Sequence, residues 1–370
     1  MRRLSFSLLT AIVAFAGGIS MFVVWQTHLP TLPALDVGPT GADVESGRAT
    51  QPELLPMNVD FKYGFVSRAG EVVVPPQFER ASDFSEGLAP VLTGGKWGFI
   101  NESGKLVIEP QIADGGLMPP TFHEGRAPIG GFSMRIGPLM IVAPKIGFID
   151  RTGRLVIGHR FDHAGDFSEG LAAVMSDGRW GFIDRTGREV ISPRFDEAGK
   201  FSEGLAPVRV GHKWGFIDRA GRLVVEPRFD STWGFSEGLA AVTLDGKSGY
   251  INSAGTFRIE PQYEHAASFS EGLAAAHIGG KDGYIDTTGR VVITPQFQSS
   301  EAFSEGLAAV QVDFKWGYID RAGRFRIPPQ FGAAFRFKGG VASVIVHRDG
   351  RGSADGYIDK SGRVFWTDQY

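Results

Sequence analysis

Residues 169–201 read EGLAAVMSDGRWGFIDRTGREVISPRFDEAGKF. Their centre, Trp180-Gly181-Phe182-Ile183-Asp184, returns along the whole chain. The matching glycines are Gly64, Gly98, Gly147, Gly181, Gly215, Gly249, Gly283, Gly317 and Gly356. Gly181 and Gly215 are 34 residues apart, and this interval holds except from Gly98 to Gly147 (49) and from Gly317 to Gly356 (39). One structural unit is therefore repeated nine times, which has to be read before anything else.

Within the unit, residues 171–175 alternate as a short strand. Asp177-Gly178 is a strong two-residue hairpin signal. Residues 179–184 form a second strand, with Gly181 leaving room for a close approach. Asp184-Arg185-Thr186-Gly187 is a turn: Asp accepts backbone N–H groups and Gly supplies positive φ. Residues 188–192 make a third strand that Pro193 is expected to end. The fold class is all-β: a tandem array of nine three-stranded antiparallel meanders of about 34 residues. One such meander is marginal alone, so each must cover its neighbour's apolar face. Propeller blades usually have four strands and about 40–45 residues. No unit here is visibly split between the chain ends, so an open, solenoid-like stack is expected, with a closed propeller-like toroid as the alternative. The loop acids Glu86 to Glu305, with Lys338 in the last loop, and the cations Lys62 to Lys315 are expected to form cross-strand pairs that set register.

The units Lys96-Trp97-Gly98-Phe99-Ile100, Arg179-Trp180-Gly181-Phe182-Ile183-Asp184, Lys213-Trp214-Gly215-Phe216-Ile217-Asp218 and Lys315-Trp316-Gly317-Tyr318-Ile319-Asp320 each follow a Glu-Gly-Leu-Ala turn. In these residues the chain resembles the WG repeat (KWG repeat) family over roughly residues 54–370. Five units depart at the aromatic, with Tyr63, Ile146, Ser248, Asp282 and Asp355. The resemblance implies bacterial, exported or envelope-associated repeat modules, and it supplies no catalytic residues.

Arg2 and Arg3 precede an uncharged run over residues 4–25. As a helix it would span about 33 Å, enough for a bilayer core. Residues 1–25 are thus expected to be a signal-anchor or, cut after Ala16, a signal peptide. Residues 26–53 read as a Pro/Gly-rich linker and 54–370 as the repeat array. The array would then lie outside the cytoplasm: anchored to the inner membrane, or periplasmic or secreted if the leader is cleaved. The chain has no cysteine, which excludes disulfides, thiolate metal sites and a cysteine nucleophile. A net charge of −3 carries no nucleic-acid footprint.

Trp97, Trp180, Trp214 and Trp316 read either as inter-unit core or as a ladder for a peptide or sugar. Ser248 and Asp282 replace that aromatic in neighbouring units; they either expose that site as candidate ligand contacts or leave a polar notch. The third unit carries an apolar insertion over 130–144, including Phe132, Met134, Ile136, Leu139 and Met140. Such a stretch either caps its own unit or meets a partner. The recurring Asp150, Asp184, Asp218, Asp286, Asp320 and Asp359 supply one turn carboxylate per unit, not a calcium cage. His159 and His163 are the only histidines at i, i+4 and do not suggest zinc. No cofactor or metal is expected, and no hydrolase or phosphate-loop motif is present. The expected function is a membrane-tethered extracytoplasmic binding or scaffold module for a protein, peptide or cell-wall glycan. The alternative is an exported glycan-active enzyme with acids hidden among the repeated carboxylates.

Overall fold

The computed structural model describes residues 54–114, 119–130, 134–136, 139–141, 145–348 and 352–368. The expected anchor (1–25), the linker (26–53) and Phe132 lie outside them. Among the described residues no helix is long and apolar enough to cross a membrane.

The described chain is built of nine small antiparallel sheets in sequence order, plus one two-stranded hairpin. Blade 4 shows the plan: His163–Ser168, Leu171–Ser176, Arg179–Asp184 and Glu189–Phe195, in that order across the sheet. Seven blades are four-stranded, so the three-stranded meander read from the sequence is one strand short. The extra strand comes from the connection. Glu189–Phe195 runs through Asp196 into Glu197–Ala198, which pairs with Arg209 and Val208 of blade 5. In five of the seven blades this edge strand is two residues long and carries almost no sequence signal; in blades 4 and 6 it runs for six residues but is broken by a register shift.

Pro193 does not end its strand. Trp180 pairs with Phe195 and Phe182 with Ile191, so Gly181 alone faces three residues of the third strand. The proline sits in this bulge, where its missing N–H is not needed. The bulge also explains the central glycine. A Cβ on Gly181 would stand 2.4 Å from the Ile191 carbonyl oxygen and 2.7 Å from the Pro193 nitrogen. Gly215 meets Val225 and Pro227 in the same way, at 2.4 and 2.8 Å.

The core lies between blades. Leu171, Ala173, Phe182, Ile191 and Phe195 of blade 4 pack against Phe201, Ala206, Val208 and Ile217 of blade 5. Seven further clusters repeat this arrangement from blade to blade. Each contains an aromatic pair such as Phe182–Phe201, 4.9 Å between ring centres and inclined edge to face at 64°. A second contact comes from the Asp-x-x-Gly turns. Gly221 lies on Ile191, Gly255 on Val225 and Gly289 on Ile259, always of the preceding blade, where a Cβ would come to 3.0 Å.

The blades form a ring, a nine-bladed β-propeller, and not the open stack expected from the sequence. Blade 9 (Ala333–Ala334, Val341–Arg348, Gly352–Asp359, Val364–Thr367) closes onto blade 1 (Leu55–Val59, Lys62–Val66, Val72–Phe78). Tyr357 donates its hydroxyl to the Pro56 carbonyl at 2.7 Å, across 301 residues. Tyr250, Tyr284 and Tyr318 make the same kind of bond to Ala267, Glu301 and Phe335 of their next blades. Gly70 of blade 1 packs on Phe365 of blade 9, where a Cβ would meet the carbonyl oxygen at 2.5 Å. No strand is exchanged: the first sheet uses only the start of the described chain and the ninth only its end. The absence of a split unit, taken as a sign of openness, is thus compatible with closure.

Gly215→Ala is expected to cost about 3 kcal/mol in urea unfolding, because the backbone of the third strand, from Val225 to Pro227, blocks the methyl group. Gly158→Ala, with nothing near its Cβ position, is expected to leave the midpoint unchanged. Equal effects at the two sites would contradict the role given to the bulge.

Candidate binding rim

Two turns share one end of each blade. Leu205, which follows the Phe201-Ser202-Glu203-Gly204 turn, pairs with Asp218, which opens the Asp218-Arg219-Ala220-Gly221 turn. The hairpin tips lie at the opposite end, where Val210 pairs with Lys213. The loop glutamates and the cation row are therefore at opposite ends of the blades and do not pair with each other. The cations instead hold the acid between blades: Lys145 binds Asp162, Arg179 binds Asp196, and Lys213 binds Asp230 at 2.6 Å.

The loop glutamates form a rim of their own. Glu86, Glu124, Glu169, Glu203, Glu237, Glu271 and Glu305 all have φ between 51° and 55°. A non-glycine residue there is strained. In return each carboxylate accepts the N–H of the glycine in the next blade's turn. Glu124 reaches Gly170 at 2.8 Å, Glu203 reaches Gly238 at 3.0 Å and Glu237 reaches Gly272 at 2.8 Å. Serine adds a second link: Ser168 donates to the Phe201 carbonyl at 2.8 Å and Ser270 to that of Phe303 at 2.7 Å. The last loop corrects the sequence register. Lys338 takes the serine place, with its Val341 bridge matching that of Ser304 with Leu307. Gly339, φ 58°, takes the glutamate place.

Cations of the second turn cover this rim. Arg185 binds Glu124 at 2.7 Å and Lys360 binds Glu305 at 2.9 Å. Arg219 lies 3.7 Å from Glu169 and Arg321 3.9 Å from Glu271. Arg151 donates to the Glu86 carbonyl at 2.6 Å. Between Arg185 and Arg219 lies an open depression of about 600 Å³, bordered by Glu124, Glu169, Asp184 and Thr186. The pattern breaks in blades 6 and 7, where Ser253 and Thr287 stand in the cation's place. Glu203 and Glu237 keep their glycine bonds, and no Lys or Arg among the described residues pairs with either carboxylate.

The recurring aspartates behave as turn formers. Asp184 Oδ1 accepts the Thr186 hydroxyl at 2.6 Å and the N–H groups of Thr186 and Arg188 at 2.9 and 3.0 Å. The threonine hydroxyl holds Asp150, Asp184 and Asp286 below the ordinary 3.8; backbone N–H groups from Arg222 and Arg324 do the same for Asp218 and Asp320.

The residues singled out in the sequence are scattered along the blades. Trp97 is buried and donates Nε1–H to Asp114 at 3.1 Å. Trp180, Trp214 and Trp316 are half-buried against their blade clusters, and Trp180 stacks on His163. His159 turns instead to the Lys145 carbonyl, 2.8 Å from Nδ1. Ser248 is buried beside the Thr243 hydroxyl at 3.3 Å. Asp282 is half-buried, bound by His277 and Ser300. Met134–Ile136 and Leu139–Ile141 form a hairpin in blade 3, Leu139 opposite Ile136 and Met140 opposite Arg135. The rim was missed because a serine and a threonine in place of a cation matter only once the turns of adjacent blades are seen to touch.

The family model described as "WG containing repeat" matches residues 63–97, 97–114, 146–180, 180–214, 214–247, 249–281, 283–315 and 316–346. No curated protein matches the chain. Among solved structures, a eukaryotic initiation factor superposes with a TM-score of 0.64 at 12% identity, over 87% of this chain and 96% of its own. That likeness concerns the fold. PorZ of Porphyromonas gingivalis, a surface component of a type-IX secretion system, reaches a TM-score of 0.33 at 10% identity, over 78% and 44% of the two chains. A puromycin hydrolase reaches 0.36 at 12% identity, over 65% and 51%.

The turn aspartates set a pH dependence. A depressed folded pKa means the unfolded chain takes up the proton first. The stabilisation is therefore complete above the ordinary value near 3.8 and is lost as pH falls through the lowered folded values. The urea midpoint is expected to hold from neutral to about pH 5 and to drop below about pH 4. An unchanged midpoint at about pH 3 would contradict this account of the turns.

Proposed function

The chain belongs to the family of WG-containing repeats, and from that premise we propose that it is a binding or scaffold module that docks a protein or peptide through its glutamate rim. The observation that carries this reading is the interruption at blades 6 and 7. Elsewhere an Arg or Lys of the same chain stands at this place, on the carboxylates of Glu124, Glu169, Glu271 and Glu305 and on the Glu86 carbonyl; Glu203 and Glu237 present theirs without such a cation, already oriented by a backbone N–H. An oriented, half-used carboxylate suits a lysine or arginine side chain of a partner. The repeat of the pair in successive blades suits an extended segment carrying two cations. The apolar residues 4–25 and the linker that follows support placing the module outside the cytoplasm, tethered to a membrane.

The test uses the chain's own chemistry. Peptides carrying spaced arginines are titrated against wild type, Glu203→Gln/Glu237→Gln, and Ser253→Arg/Thr287→Arg. Wild type is expected to bind cationic peptides in a salt-sensitive manner. Both double variants are expected to bind roughly tenfold more weakly, one by losing the acids and the other by filling the site from within. Equal affinity in all three proteins would remove the rim from the function.

A further inference from the structure

The opposite end of the ring carries a second irregularity. In blades 3 to 5 the acid between blades is held by the cation seventeen residues before it: Lys145 with Asp162, Arg179 with Asp196, Lys213 with Asp230. Glu264, the next acid of this row, turns instead to His277. Its Oε1 accepts the Gly279 N–H at 3.1 Å, which leaves Oε2 facing His277 Nε2 at 3.5 Å. The other ring nitrogen, Nδ1, is 2.7 Å from Asp282 Oδ1, and Asp282 Oδ2 accepts the Ser300 hydroxyl at 2.9 Å. Asp282 occupies the place that Trp180, Trp214 and Trp316 hold in other blades. His265, His277 and Asp282 are register partners across three strands, so they share one face of the sheet.

The two contacts of the imidazole differ in kind. The 2.7 Å contact is a charge-assisted hydrogen bond, with Nδ1–H donating to Asp282. In the neutral ring with that proton placement, Nε2 is the nitrogen left to ligate a metal ion on the Glu264 side. At 3.5 Å the second contact is longer than an N–H···O hydrogen bond. It matches the span between two donors of one tetrahedral metal ion: bonds of about 2.1 Å put neighbouring donors about 3.4 Å apart. Both donors are fixed from behind, the imidazole by Asp282 and the carboxylate by Gly279, which is the support that metal-binding histidines ordinarily have. Among the described residues no three His, Asp or Glu side chains form a ready cage.

We propose that blade 7 carries an open site for a divalent transition-metal ion of the zinc class, with His277 Nε2 and Glu264 Oε2 as its fixed donors. Solvent completes the shell, with His265, the register partner of His277, on the same face of the sheet. Asp282 is a positioning residue that holds the tautomer and does not touch the metal.

The probe is Co²⁺, added to the full chain and followed by visible absorption, then displaced by Zn²⁺. Wild type is expected to take up one equivalent saturably and to release it to Zn²⁺. His277→Gln and Glu264→Gln are expected to bind at least about tenfold more weakly, and Asp282→Asn to weaken binding to a similar degree. Lys247→Ala is expected to match wild type. Circular dichroism confirms that the variants fold, and Glu264→Gln, at an exposed carboxylate, keeps the test open if His277→Gln does not. Absence of saturable uptake, or uptake unaffected by both His277→Gln and Glu264→Gln, would reduce the cluster to a hydrogen-bonded ion pair and overturn the proposal.

Discussion

The apolar face of each blade is buried against the next blade, and the rest of the structure depends on that constraint. The aromatic of the middle strand, the turn phenylalanine of the following blade and the small residues between them form one layer. A sheet of three or four short strands is marginal alone. Stability is therefore shared along the ring, and a first and ninth blade left apart would each expose such a face. Closure removes both. The tyrosine hydroxyls of blades 6 to 9 and the turn glycines lock the layers sideways. In the ninth blade this lock runs to Pro56, and burial drives the Tyr357 hydroxyl's pKa far upward.

Backbone crowding, more than side-chain packing, accounts for the most regular letter of the repeat. The glycine after the aromatic sits beneath a three-residue bulge that also houses the proline. Glycine, proline and bulge form one device, and it frees the third strand to cross into the next blade. The strained glutamates of the rim are a comparable device. Their backbone strain is offset by a carboxylate–amide bond to the neighbouring blade, which makes the rim both a fastener and a ring of oriented acids.

Much of this was legible in the residues. The period, the hairpin at Asp177-Gly178, the Asp184 turn and the need for each unit to cover its neighbour all follow from local spacing. Three things did not. The two-residue edge strands are too short to carry a pattern. Closure depends on the sum of small rotations between blades, which no single unit encodes. The charge pairing depends on which ends of strands meet, so Glu203 and Lys213, close in sequence, stand at opposite ends of a blade. The substitutions Ser253 and Thr287 look like drift until Glu203 and Glu237 are placed beside them. Asp282 was legible as an exception, and its bond to His277 gives that exception a chemical meaning.

The ring itself is the central claim. Because the chain has no cysteine, a pair of spin labels at Ala69→Cys and Val364→Cys reports one distance, between the turn of the first blade and the last strand of the ninth. A closed ring places the two labels in the shortest measurable range, independent of protein concentration. An open array of nine sheets, each about 10 Å from the next, would separate them by roughly 80 Å and would contradict the account.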